Sequence, residues 1–119
     1  MIEEWIKEIK RENALEMLGM VLVHNGIVRA TSKGGRKVKG VKVSFDNNIL
    51  QPLVDRLKHR DGIVDIRVWI NEGELKVGDD IMYLLVAGRF REDVFPVMQE
   101  LLTKTKTEVV RKEEFWLEG

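Results

Sequence analysis

The chain has 119 residues, inside the ~100–150 usual for one domain, so a single domain over residues 1–119 is expected. Hydrophobic residues make up 44% and charged residues 34%, which excludes disordered and low-complexity classes and leaves material for a buried core. The 20 Lys+Arg balance the 20 Asp+Glu, so no net field gathers nucleic acid or an anionic membrane. The absence of cysteine removes disulfides, thiolate zinc sites and a cysteine nucleophile.

Ile2, Trp5, Ile6 and Ile9 recur at helical spacing and predict an amphipathic helix over 2–10, with Asn13 capping a second turn through Met17. The opening MIEEWIKEIKREN has no signal-peptide core, and the longest apolar stretch is far short of the ~20 residues of a membrane helix. A cytoplasmic protein without membrane contact is expected. Residues 19–29 read as a strand from their Val and Ile content, with Gly26 at a bulge or close approach, and 30–37 as a polar, glycine-paired loop. Residues 39–45 alternate around Val41, Val43 and Phe45 as a half-buried strand.

Asn47 or Asn48 is expected to cap a helix whose apolar face is Ile49, Leu50, Leu53, Val54 and Leu57, with Pro52 tolerated in the first turn. Residues 64–70 alternate with Val64, Ile66, Val68 and Ile70 on one side, and 71–80 read as a turn-rich connection. Residues 81–87 are apolar almost throughout, as in a central strand covered on both faces. A helix over 92–103 turns Val94, Phe95, Met98, Leu101 and Leu102 inward, and 109–117 closes the chain as an extended segment. The order α-β-β-α-β-β-α-β predicts an α+β sandwich, one mixed, mostly antiparallel sheet with helices packed on one face.

Few residues offer chemistry. The two histidines, His24 and His59, have no acidic companion at ligand spacing, so each reads as structural and no metal is expected. No phosphate-binding loop, nucleophile elbow or dinucleotide fingerprint occurs. What stands out is clustered positive charge: Arg29, Lys33, Arg36, Lys37, Lys39 and Lys42 around the glycine loop, then Lys104, Lys106, Arg111 and Lys112 after the last helix, with Arg89 and Arg91 before it. Cations beside glycine-rich backbone suit phosphate or another oxyanion; a solvated face is the plainer reading. Trp69 and Trp116 fall on outward faces, where exposed aromatics mark a contact or cover the sheet.

Four blocks then resemble one family in order and spacing. Gly26-Ile27-Val28-Arg29 resembles the G-x-V-R strand end of the large (catalytic) subunit of molybdopterin synthase. Residues 73–79 (GELKVGD) resemble its G-x-L-x-x-G-[DE] turn. Arg91 with Phe95 resembles its H-R-x-x-A-F segment, and Lys106 followed by Lys112-Glu113-Glu114 resembles its L-K…W-K-[KR]-E ending. The resemblance implies an α/β-hammerhead-like fold, a homodimer, and a small ubiquitin-like sulfur-carrier subunit whose C-terminal Gly-Gly thiocarboxylate enters the pocket. Sulfur would pass to a cyclic pyranopterin monophosphate, the substrate, to form the dithiolene of molybdopterin without a resident cofactor.

By that resemblance Lys106 and Lys112 are the catalytic lysines, and Ile27, Val28, Arg29, Arg36, Phe90, Arg91, Glu113 and Glu114 bind substrate. Arg29 and Arg91 would hold phosphate and pterin oxygens, Glu114 would position Lys112, and Arg36 with Lys37 would add charge. The sequence departs from the family at Phe90, where histidine is usual, at Thr31-Ser32 in place of His-Asn, and at Arg111 in place of tryptophan. A non-catalytic dimeric paralogue binding an anion or a ubiquitin-like partner is the alternative, and a nucleic-acid binder is disfavoured by zero net charge.

Overall fold

The computed structural model describes residues 1–117. In chain order it contains α1 (Ile2–Glu12), a 3-10 turn (Leu15–Met17), β1 (Met20–Ile27), β2 (Val38–Phe45), α2 (Asn47–Lys58), β3 (Ile63–Ile70), β4 (Gly73–Lys76) and β5 (Asp80–Gly88). α3 (Arg91–Lys104), a π-helical turn (Thr105–Val109) and β6 (Val110–Trp116) follow. The α+β class holds, but the strands divide into two antiparallel sheets, ordered β1-β5-β3 and β4-β2-β6, where one mixed sheet was expected.

The apolar run in β5 is central and covered on both faces, as its composition required. Leu85 and Ala87 face α1, packing with Ile9 and, more loosely, Ile2, Trp5 and Ile6. Leu84 and Val86 face the main core, which contains Leu53 and Leu57 of α2, Val94 and Leu101 of α3, and Val41 and Val43 of the second sheet. One apolar strand thus seats helices on opposite sides, because successive side chains point to opposite faces. Helices therefore cover both faces of the first sheet rather than one.

Several local expectations change. Asn13 closes α1 instead of opening a turn: its Nδ2 donates to the Ile9 carbonyl at 2.9 Å. Asp46, one position before the expected asparagines, caps α2 by accepting from the Asn48 amide at 2.9 Å. Pro52 consequently falls beyond the first turn of that helix, where its missing N–H leaves one carbonyl of the ladder without its partner. Ile49 is 40% exposed and lies off the buried face. A register break between Ile63 and Asp65 turns Val64 toward α1, while Ile63 and Ile66 face the main core. Phe95 is 52% exposed; Val97, three residues after Val94 on the same helix face, takes the inward place.

β4 replaces part of the turn-rich connection expected over 71–80. Its four residues pair with β2 as an edge strand, and Gly40 of β2 lets them close, since a Cβ there would lie 2.5 Å from the Leu75 carbonyl oxygen. The two tryptophans find partners within the chain. Trp69 stacks on Tyr83 at 4.8 Å between ring centroids, and Trp116 packs against the core beneath the Arg36 guanidinium, 4.2 Å from its ring.

Candidate active site

Two turns bring the site together. Gly78 adopts φ +93°, which side-chain-bearing residues avoid, and its amide donates to the Val28 carbonyl at 2.9 Å. The Val28 amide in turn donates to the Asp79 carbonyl at 2.9 Å, while the Asp79 carboxylate accepts from the Lys76 amide. The GELKVGD turn thus clasps the GIVR strand end by its backbone. At the other side of the site, α3 ends in the π-helical turn that carries Lys106, a local widening of the helix often found at functional positions. β6 then runs antiparallel to β2, with Lys112 opposite Val43 and Glu114 opposite Val41; being two residues apart, both point to one face.

These elements enclose a cavity of about 640 Å³, a size suited to a ligand of drug or cofactor dimensions. Its floor is apolar, from Val38 and Val41 of β2 and Ile81 and Met82 of β5. Its charged wall is Arg29, Lys33, Lys106 and Lys112 against a single carboxylate, Glu114. An apolar base with convergent cations on one side accepts a flat ring bearing an anionic group.

Of the residues expected at the site, Ile27, Val28, Arg29, Lys106, Lys112 and Glu114 line this cavity. The others lie elsewhere in this chain. Arg36 is drawn onto the Trp116 ring. Glu113 sits one step along β6, so strand alternation points it away from the face that carries Lys112 and Glu114. Phe90 and Arg91 lie past the opposite end of β5 from Ile81 and Met82, separated by roughly 20 Å of strand. Phe90 is 57% exposed under the Arg89 guanidinium, and the Arg91 side chain is 77% exposed beside Glu92.

Linear order hid this separation. A strand's end and the helix after it do look like a ligand site, but the cavity opens at the start of β5. Polar residues of the cavity outside the expected set are Asn25, Thr31, Ser32, Lys33 and His24, whose imidazole forms part of the wall. The readable signal was strand alternation, which puts position 24 on the same face as Gly26 of the GIVR block. Burial first, and the Lys106 charge second, hold His24 below the usual imidazole range.

The family's sequence model for the MoaE protein matches residues 2–108. The chain belongs to the MoaE protein family. Among its relatives, the molybdopterin synthase catalytic subunit of Pyrococcus abyssi is 26% identical over 112 residues, covering 85% of this chain and 75% of that protein. The fold is shared with the molybdopterin cofactor biosynthesis protein E of Burkholderia multivorans at a TM-score of 0.76 and 18% identity, over 98% of this chain and 80% of that one. It is shared also with a chain in the complex of subunits 1 and 2 of the molybdopterin-converting factor of Helicobacter pylori, at a TM-score of 0.71 and 17% identity, over 97% and 78%.

The family match ends before β6, so Lys112 and Glu114 rest on the cavity geometry and their own motif. Among the described residues no group of histidines and carboxylates is placed to hold a metal, and no helix is long and apolar enough to cross a membrane.

Proposed function

We propose that this MoaE-family chain serves molybdenum cofactor biosynthesis as the sulfur-transferring subunit of a molybdopterin synthase. The observation that carries the reading is the convergence of Arg29, Lys106, Lys112 and Glu114 on one cavity from three separate parts of the chain. In this reading the apolar floor takes the pterin, Arg29 takes the phosphate of a cyclic pyranopterin monophosphate, and Glu114 orients Lys112. Lys106 and Lys112 handle the protons of ring opening and hold the intermediate while sulfur arrives on a partner. That partner is a small ubiquitin-like carrier ending in a Gly-Gly thiocarboxylate, which suits a chain that has no cysteine of its own.

Two of the three departures from the family pattern lie outside the cavity within one chain, and the third, Thr31-Ser32, lines it. Phe90 is outside the cavity, and Arg111 lines a separate hollow with Ser44 and Asp46, so within one chain neither replaces a group in the charged wall. A homodimer is part of the proposal, in which the exposed Phe90–Arg91 end of one copy would approach the cavity of the other and Phe90 would stand there in place of the family's histidine.

Partner capture tests the reading. A ubiquitin-like carrier is expected to bind, and deleting its two terminal glycines to weaken binding by about tenfold or more, as loss of a buried anchor does. Equal binding by the truncated carrier would remove the cavity from the interface.

A further inference from the structure

Among the described residues, His24 alone gives the cavity a buried side-chain polar atom with no hydrogen-bond partner. Its ring lies along β1 over Gly26, with Nε2 3.6 Å from where a Cβ at that position would stand. Nε2 is buried there and has no hydrogen-bond partner. The charged groups that share its cavity are Arg29 from the end of β1, Lys33 from the glycine loop, Lys106 from the π-helical turn, and Lys112 and Glu114 from β6. β5 and β2 contribute only apolar side chains, Ile81, Met82, Val38 and Val41. Partial burial of the ring, and then the charge of Lys106, disfavour the protonated form of this histidine.

We propose that His24 takes up a proton when a dianionic ligand enters this cavity, so that the imidazolium becomes a further cation around the bound anion. The argument extends the sulfur-transfer reading at its product end, since the cyclic phosphodiester of the substrate carries one negative charge and its opening leaves a phosphomonoester that is such a ligand, but it needs only that the cavity binds a dianionic oxyanion. Without the anion, the loss of hydration and then the Lys106 charge oppose protonation, and His24 lies below the ordinary imidazole range. Two negative charges among the cavity lysines reverse the local field, and the proton comes from solvent. The sign follows by linkage: binding that raises the pKa draws in a proton, so affinity for the anion falls as pH rises through the value in the bound state. No bond to carbon or sulfur is made or broken.

The two histidines make the test simple, because the imidazole Cε1–H signals of the intact chain are only those of His24 and His59. His59 ends α2, is exposed, and keeps its Nδ1 against the Asp55 carbonyl, so it serves as an internal reference. The probe is sulfate, which stays dianionic over the range titrated, with chloride at matched ionic strength as control. In chloride, His24 is expected to titrate below the ordinary imidazole range. In sulfate it should rise by about one pH unit or more while His59 stays in place. Sulfate affinity should then fall by about tenfold per unit of that rise between roughly pH 5 and 8.

Two variants separate cause from folding. Lys106→Met keeps the aliphatic stem and should raise the His24 value in chloride. His24→Phe keeps the ring's volume and should flatten the pH dependence of sulfate binding. Sulfate binding that leaves His24 unmoved overturns the proposal while the anion site stands. Absence of sulfate binding, read as unshifted amides at Arg29 and Lys106, overturns both the proposal and the anion-binding part of the functional reading.

Discussion

Replacing Lys106 by alanine is expected to lower sulfur-transfer turnover by about 10²- to 10⁴-fold, the span that a positioned acid–base group supplies. The melting temperature should barely move. Lys106 projects from the π-helical turn into the cavity and is exposed, so its removal empties no packed space. The neighbours that hold the turn, Thr105 and Val109, are buried and untouched. Lys106→Met, which restores the stem without the charge, should be as inactive as the alanine variant, and carrier binding should survive in both. Turnover within a few-fold of the parent would take Lys106 out of the mechanism.

The largest effect on stability is expected at Leu84. Its side chain is fully buried in the central strand, opposite His24 of β1 and Val68 of β3, and it faces the main core. Leu84→Ala should cost about 3–4 kcal/mol from lost burial and the cavity left behind. For a domain of this size that corresponds to a fall of roughly 10–15 °C in Tm. Leu15→Ala is the control, because Leu15 is 66% exposed on the 3-10 turn and should change Tm by no more than about 2 °C. Thermal denaturation of the two variants side by side decides it; similar Tm values would mean that the core is not organised around β5.

What the sequence disclosed, and what it hid, follows from the range of the interactions. β5 was readable because burial on both faces leaves a continuous apolar run, and β1, β2 and β6 from their Val, Ile and aromatic content. β4 was not, because an edge strand of four residues between Gly73 and Gly78 has the composition of a turn. The split into two sheets was also hidden, since β2 pairs with β4 and β6 through contacts far apart in sequence.

At the site, the GIVR block and the later lysines were visible as motifs, and the fold places Arg29, Lys106 and Lys112 together. Arg91 was visible for the same reason yet stands at the other end of the first sheet, because a motif records order along the chain and not which end of a strand it occupies. His24 was passed over because an isolated histidine in an apolar strand is usually structural. Its burial in the folded cavity, and after that the charge of Lys106, more than 80 residues later in the chain, set its protonation, and neither is readable from the sequence around it.

The central claim is that this cavity performs sulfur transfer, and reconstituted turnover tests it most directly. The chain is mixed with a thiocarboxylated ubiquitin-like carrier and cyclic pyranopterin monophosphate, and the oxidised mixture is examined by chromatography for the fluorescent pterin derived from the dithiolene. The account predicts product that depends on the thiocarboxylate and disappears with Lys106→Ala. No product from a carrier that binds and is fully thiocarboxylated would contradict it, leaving an anion- and partner-binding protein on the MoaE fold.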